Sequence, residues 1–300
     1  MSKKGPNQQS IELALLAVAN IFGGSSAIMI KASTIYPTLQ ASYRLLFAGI
    51  LLIPLFIRDL RQSGSRLGFR LVAPALLPGV FLGLHFITWI FGARMTLAGN
   101  ATIIVTTVPV AMPFLVYFMT RELPRKMEIA GTAVAMAGVA ILAAFDFRLE
   151  PGHFIGDVTC FVSMILYSVY LALARRFAPK ERIWLYLVPL YLTGGLFCLG
   201  CALPFASPVR GITGTDFVMT MGLALGPTII CHSLQNRAMT KVQPQIVSLF
   251  NLTQFIVAGI MAFFLFKEVP RPEFAAAGAL IIGGIAVPII FGNAKPSRRR

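Results

Sequence analysis

The sequence predicts an all-α membrane protein of ten transmembrane helices, built from two inverted five-helix repeats. Three observations carry that expectation. Of 300 residues, 57% are hydrophobic and only 12% charged, with a mean hydropathy of +0.78. Soluble domains carry roughly 25% charged residues, so a water-soluble chain of this composition could not cover its own core, and lipid is the solvent. Apolar runs long enough to cross about 30 Å of hydrocarbon recur ten times. Finally, the stretch from Ala93 to Leu142 recurs between Arg237 and Ala286: Met95-Thr96 matches Met239-Thr240, Glu122-Leu123-Pro124 matches Glu268-Val269-Pro270, and Gly138 matches Gly284.

In chain order, residues 1–10 are a polar tail, expected in the cytoplasm. The first apolar run, 11–31, is too long for a signal-peptide core and lacks a small-residue cleavage site, so it reads as a retained span. The spans that follow are 37–57, 71–93, 97–119 and 127–146, closing a first repeat at 11–146. A second repeat, 155–291, holds spans 155–175, 183–204, 214–236, 242–265 and 271–291. Residues 292–300 form a basic cytoplasmic tail. Connections are short, the longer ones lying at Arg58 to Arg70, near Asp146 and near Ser207. Positive residues are retained on the cytoplasmic side. With the N-terminus inside, the inner segments carry clusters (Arg58, Arg61, Arg66 and Arg70; Arg121, Arg125 and Lys126; Arg175, Arg176, Lys180 and Arg182), whereas the outer ones carry single cations such as Lys31, Arg94, Arg148 and Arg210. Both termini are therefore expected in the cytoplasm. An odd number of spans per repeat forces the copies to insert upside down relative to one another, the design of carriers that hold substrate near the bilayer midplane.

The net charge of +15 does not point to nucleic acid, because the cations sit in short loops between apolar runs and form no basic face. The four cysteines all lie in apolar runs; Cys198-x-x-Cys201 has no His or acid beside it and reads as helix packing, so no metal or cofactor is expected. Nothing in the sequence marks a catalytic group. The best enzyme candidate, His153 with Asp157 on one helical face, sits at the outer end of the sixth span without a metal cluster, nucleophile elbow or phosphate loop.

The opening NIFGGSSAIMIKAS, the Tyr43-Arg44 pair starting the second span, MTLAGNATIIVTTVPV entering the fourth, the Glu122 and Glu268 turns followed by Gly-rich spans, and Gln235-Asn236-Arg237-Ala238 together resemble the drug/metabolite transporter superfamily, specifically its EamA-type ten-span members. The likeness covers both repeats; one departure is Ile21-Phe22-Gly23, where many relatives carry a tryptophan. The resemblance implies a cavity lined chiefly by spans one, three, four, six, eight and nine, with five and ten peripheral. It also implies a secondary transporter of small polar metabolites, with amino-acid or related metabolite export the leading expectation and facilitative movement of another solute class (nucleotide, sugar, quaternary amine or drug) the alternative. The expected location is a bacterial inner membrane. Expected partners are a small-molecule substrate, membrane lipid and a second copy in a homodimer, and not nucleic acid.

Polar residues deep in spans are the candidate substrate contacts, since each is costly in lipid. His85 and Trp89 share a face of span three at i, i+4. His232, on the repeat-related span eight, is placed to face the same cavity. Asn20 and Tyr167 come from spans one and six, Thr106 from span four, and Asn251 and Gln254, three apart, from span nine. Arg44 is the one charge well within a span; it either snorkels to the outer interface or binds a substrate carboxylate, the former leading. All eleven acids fall at span ends or in loops, so any proton coupling would use His85 or His232, whose unperturbed pKa is about 6.5. Gly79 and Gly83 recur as Gly222 and Gly226 in span eight, small-residue pairs expected to pack helices closely and to let these spans move, with Pro109 and Pro227 as bending points.

Overall fold

The computed structural model describes residues 6–146, 152–209, 211–266 and 272–292, and all of its regular structure is helical. Ten helical rods follow in order: α1 (Pro6–Gly24 continued by Ser26–Lys31), α2 (Pro37–Leu51 and Ile53–Ser63), α3 (Phe69–Met95), α4 (Ala98–Thr106 and Val108–Thr120), α5 (Lys126–Asp146), α6 (Phe154–Phe177), α7 (Trp184–Ala202), α8 (Gly214–Lys241), α9 (Pro244–Asn251 and Thr253–Phe266) and α10 (Pro272–Phe291). Among the described residues eight helices are long and apolar enough to cross a membrane, or nine if the bent α2 pair is one span.

Most rods stay close to their expected boundaries; α2 departs. Its apolar part ends at Leu51, the chain bends by 46°, and an amphipathic helix runs on to Ser63 where a loop was expected from Arg58. Pro54, in the first turn after the break, offers no N–H to the preceding turn, and Arg58, Arg61 and Gln62 give the continuation a wet face. Gly64 ends it at φ 64°, a left-handed position open to glycine, its N–H donating to the Arg61 carbonyl.

In hydrocarbon the backbone carbonyls at a helix break need partners within the protein, and at the interior breaks a hydroxyl adds to what the backbone supplies. Ser25 Oγ donates to Phe22 O at 2.7 Å between the halves of α1. Thr107 Oγ1 donates to Ile104 O and Thr253 Oγ1 to Phe250 O, both at 2.7 Å, at matching points of α4 and α9. In α8 a π-helical segment, Ala224–His232, begins three residues before Pro227. Pro227 has no N–H to give Leu223 O, and Thr228 Oγ1 donates to that carbonyl instead at 2.9 Å.

Packing is closest where glycine removes a side chain. A Cβ on Gly79 would lie 2.6 Å from Leu190 O and one on Gly194 2.7 Å from Gly79 O, so α3 and α7 meet backbone to backbone. The expected counterpart pair behaves differently: Gly222 and Gly226 face the Met29 and Phe22 side chains of α1, whose own glycines, Gly23 and Gly24, meet Cys231, Gln254 and Val257 instead. Helices α5 and α10 run antiparallel, Gly131 against Gly284 and Gly138 against Ala277. Other major neighbours are α3 with α6, α1 with α8 and α9, α4 with α6 and α9, and α2 with α7 and α8.

The acids sit at helix ends as expected, yet Glu12, Asp59, Glu128, Asp157 and Asp216 are buried. Their charge is met locally. Asp216 closes a capping box with Thr213 and accepts from Ser33 Oγ and Thr34 N; Asp157 accepts from Thr96 Oγ1 at 2.6 Å. Glu12 pairs with Arg237 and Lys241, each at 2.9 Å. The Glu268-Val269-Pro270 turn lies outside the described residues.

A Cβ on Gly284 would lie 2.5 Å from Gly131 O and 2.7 Å from Ala135 Cβ, whereas one on Gly283 meets nothing. Gly284→Val is therefore expected to lower the thermal midpoint in detergent, by the equivalent of about 1–3 kcal/mol for overpacking, and Gly283→Ala to leave it unchanged or slightly raised. Equal effects of the two would refute this packing.

Candidate functional site

Midway along the bundle lies a cavity of about 40 Å³, lined by residues that include Gly23 and Ser26 of α1, Arg44 of α2, His85, Phe86 and Trp89 of α3, Thr106 of α4, Tyr167 of α6, Pro227 and His232 of α8, and Gln254 of α9. A wider polar vestibule of about 490 Å³ opens at the end where α1 begins, between Glu12, Glu122, Arg125, Glu128, Arg175 and Lys241. The chain breaks just described border the central cavity: Gly23-Gly24, Thr106-Thr107, Pro227 and the start of the second α9 helix all lie within three residues of a lining group.

One wall is aromatic. His85 stacks on Tyr167 with centroids 4.6 Å apart and planes at 14°. The ring of His232 stands edge-on to Phe86 at 5.0 Å and to Tyr167 at 5.5 Å, so the two histidines, from repeat-related helices, lie 6.2 Å apart. Ser163 fixes His85: its carbonyl and hydroxyl lie 3.0 and 2.8 Å from Nδ1. Trp89 Nε1 donates to Ser26 Oγ at 3.3 Å.

A second wall is an amide network. Tyr167 Oη donates to Gln235 Oε1 at 2.5 Å, and Gln235 Nε2 to Asn251 Oδ1 at 2.6 Å. Gln254 Nε2 donates to Asn20 Oδ1 at 2.8 Å, and Asn20 Nδ2 to Leu16 O. Four of the expected contacts (Asn20, Tyr167, Asn251 and Gln254) thus meet in one cluster, joining α1, α6, α8 and α9. The fifth member, Gln235, reads from sequence as a helix-end cap because it lies toward the cytoplasmic end of span eight. In the structure it is buried, one turn beyond His232 on the same helix face. Neither Ser163 nor Thr228 carries a sequence signal; single hydroxyls in apolar helices are common and usually bond their own backbone. Thr106 does so, donating to Thr102 O, while its helix end borders the cavity. Pro109 likewise lies beside the α4 break, and its carbonyl accepts from Gln245 Nε2.

Arg44 does not snorkel. It is 1% exposed, its guanidinium carbon 3.8 Å above the Phe86 ring and its Nε donating to Thr228 Oγ1 at 3.0 Å. Placing Arg at a span centre costs about 2.5–3.5 kcal/mol on insertion scales. A hydrogen bond to a charged donor returns about 1.5–3 kcal/mol and a desolvated cation–π contact about 2. The cation is therefore roughly compensated at rest, by neutral groups alone. Its neighbour Nη1 has no hydrogen-bond partner, and neither has His232 Nδ1.

Outside the cavity, Asp157 accepts from Thr96 Oγ1 at a helix end, and neither it nor His153 is among the residues that line the central cavity. Cys198 is buried with Sγ toward Gly83 O, whereas Cys201 is exposed, and both are free thiols. Among the described residues no cluster of three His, Cys, Asp or Glu could hold a metal ion.

Apolar helices long enough to cross a bilayer, packed around a small cavity midway, make this an integral multi-pass membrane protein. The chain belongs to the EamA-like transporter family, whose model matches residues 9–144 and again 154–290. It is similar to an uncharacterized transporter, YetK, of Bacillus subtilis (strain 168), at 25% identity over 285 residues, 92% of this chain and 86% of that one. It also resembles a protein of known crystal structure with a TM-score of 0.74 at 18% identity, over 94% of this chain and 97% of the other, a likeness that shows the fold.

Tyr167→Phe keeps the stack on His85 but removes the donor to Gln235. Leaving that buried amide unsatisfied is expected to cost about 1–3 kcal/mol, read as a lowered thermal midpoint; an unchanged midpoint would show that the hydroxyl is not part of the network.

Proposed function

We propose that this chain is a secondary transporter of small polar metabolites, an exporter of amino acids or related compounds, working by alternating access around the central cavity. Ten spans in two inverted five-helix repeats would build it, with α2 as one bent span and α5, packed along α10, as the tenth. The observation that carries this reading is the way repeat-equivalent helices exchange contacts. Gly131 opposes Gly284 while Gly138 opposes Ala277, and Gly49 packs on Leu192 while Gly195 packs on Leu46. Each pair of contacts maps onto itself when the halves are swapped, and each requires α5 against α10, and α2 against α7, to run antiparallel. The wider pattern follows the same rule: α3 with α6 answers to α8 with α1, α4 with α6 to α9 with α1, and α7 with α3 to α2 with α8.

The two ends are latched in matching fashion. At one, Lys31 Nζ donates to Thr96 O at 2.8 Å and Thr96 Oγ1 to Asp157. At the other, Arg175 Nη1 donates to Met239 O at 2.6 Å, and Glu12 holds Arg237 and Lys241. In each case an acid opening one repeat's first span and a cation closing the other's first span grip the end of a third or eighth span. Opening one latch while the other holds would expose the cavity to one side at a time. Cations Arg125, Arg175, Lys180 and Lys241 gather around the vestibule, which supports placing that end, and the termini, in the cytoplasm of a bacterial inner-membrane protein. Small-molecule substrate, lipid and a homodimer remain the partners that this reading carries, and catalysis is not part of it.

In proteoliposomes the wild-type protein is expected to give saturable counterflow of at least one labelled amino acid. Cys231 lines the cavity and serves as an accessibility probe. On a Cys201→Ser background, Glu12→Gln should raise Cys231 labelling by an impermeant maleimide from the vestibule side, and Asp157→Asn from the opposite side. Labelling that is indifferent to side in both variants, with no counterflow, would reject alternating access.

A further inference from the structure

We infer that Arg44 makes the central cavity an anion site, so that the transported compound presents a carboxylate, or an equally compact anionic group, to this guanidinium. The inference rests on the transporter reading of the cavity. Arg44 is buried midway along the bundle, far from either latched end, and among the described residues no Asp or Glu lines the cavity. Its immediate partners are neutral: the Phe86 face, Thr228 Oγ1, and no group on Nη1. A fixed guanidinium with an unused donor in a low-dielectric site repels cations and binds a carboxylate with charge-assisted, often forked hydrogen bonds.

The surroundings sharpen the selection. The face of Phe86 is already covered by Arg44, so that ring is closed to a cationic ligand. His232, within an aromatic contact of Phe86, holds Nδ1 without a partner and gives the cavity a second hydrogen-bonding atom beside the guanidinium. The cavity of about 40 Å³ has room for about three waters, close to the space of a carboxylate and its adjoining carbon. Thr228 ties this site to the backbone. The hydroxyl that repairs the carbonyl freed by Pro227 is also the acceptor for Arg44 Nε, so the π-helical segment of α8 positions the charge.

The test uses the purified full-length protein in nanodiscs and matched probes: pyruvate, L-alanine, phenylacetate and phenylpyruvate, against propionamide, phenylacetamide and phenethylamine. Thermal stabilisation and tracer flux are measured separately. At least one carboxylate is expected to stabilise the wild type while the amides and the amine do not. Arg44→Gln should weaken that carboxylate by roughly tenfold to a hundredfold, the worth of one charged hydrogen bond, and Arg44→Lys by less. Should Arg44→Gln fail to fold, the wild-type ranking and Arg44→Lys decide. Stabilisation by the amine or amides equal to that by the carboxylates, no response to any carboxylate, or a carboxylate response that survives Arg44→Gln would overturn the anion site. Arg44-dependent binding without flux would instead uphold the site and reject transport; flux of neutral or cationic solutes indifferent to Arg44 would do the reverse.

Discussion

Every interruption of a helix within this bundle is governed by one constraint: hydrocarbon offers no hydrogen bonds, so a backbone carbonyl freed by a break must find a partner inside the protein. Backbone N–H groups and the hydroxyls of Ser25, Thr107, Thr228 and Thr253 together meet that requirement at the interior breaks. Where no hydroxyl is at hand, as at the α2 bend after Leu51, the chain continues as an amphipathic helix with Arg58, Arg61 and Gln62 on its exposed face. The breaks can therefore persist midway along the bundle, and there they create the cavity. A continuous helix would fill that space with side chains at regular spacing; an interrupted one presents Gly23, Thr106 and Pro227 instead. Irregular backbone and polar cavity are two aspects of one solution.

Charge is handled by position. Among the described residues the buried carboxylates Glu12, Asp157 and Asp216 lie toward helix ends, where each meets a cation, a hydroxyl or a cap and joins elements from both halves of the chain. The cavity holds the opposite arrangement, a buried cation without an acid. This separation lets the ends be closed by strong, local interactions that solvent can rescue when they open. The interior charge, by contrast, has no solvent to fall back on and is stabilised by a ring face and a hydroxyl. The glycine contacts between α3 and α7 and between α5 and α10 supply the rigid frame against which the latched helices are set.

Much of this was legible in the chain. The apolar runs located the helices closely, because length and hydropathy alone decide what can cross lipid. The residue types of the cavity were legible too, since a polar side chain deep in a span stands out against its neighbours: His85, Trp89, His232, Asn20, Tyr167, Asn251, Gln254, Thr106 and Arg44 all line the cavity or bond to its lining. What misled was position along the helix. Gln235 looked like an end cap because it lies toward the cytoplasmic end of its span, and Arg44 looked able to reach the interface because its side chain is long. Gly222 and Gly226 repeat the spacing of Gly79 and Gly83, yet a spacing does not say what stands opposite.

The amino-acid sequence by itself determined that this is a helical membrane protein with a duplicated unit, and which side chains are too polar to face lipid, because those properties depend on composition and period along one helix. Only the tertiary structure decided which of those side chains meet. The stacking of His85 on Tyr167, the seating of Arg44 between Phe86 and Thr228, and the pairing of Gly79 with Gly194 join residues from about 40 to more than 180 positions apart. Such contacts are set by how helices rotate and cross when packed, and no pattern within a single helix carries that information.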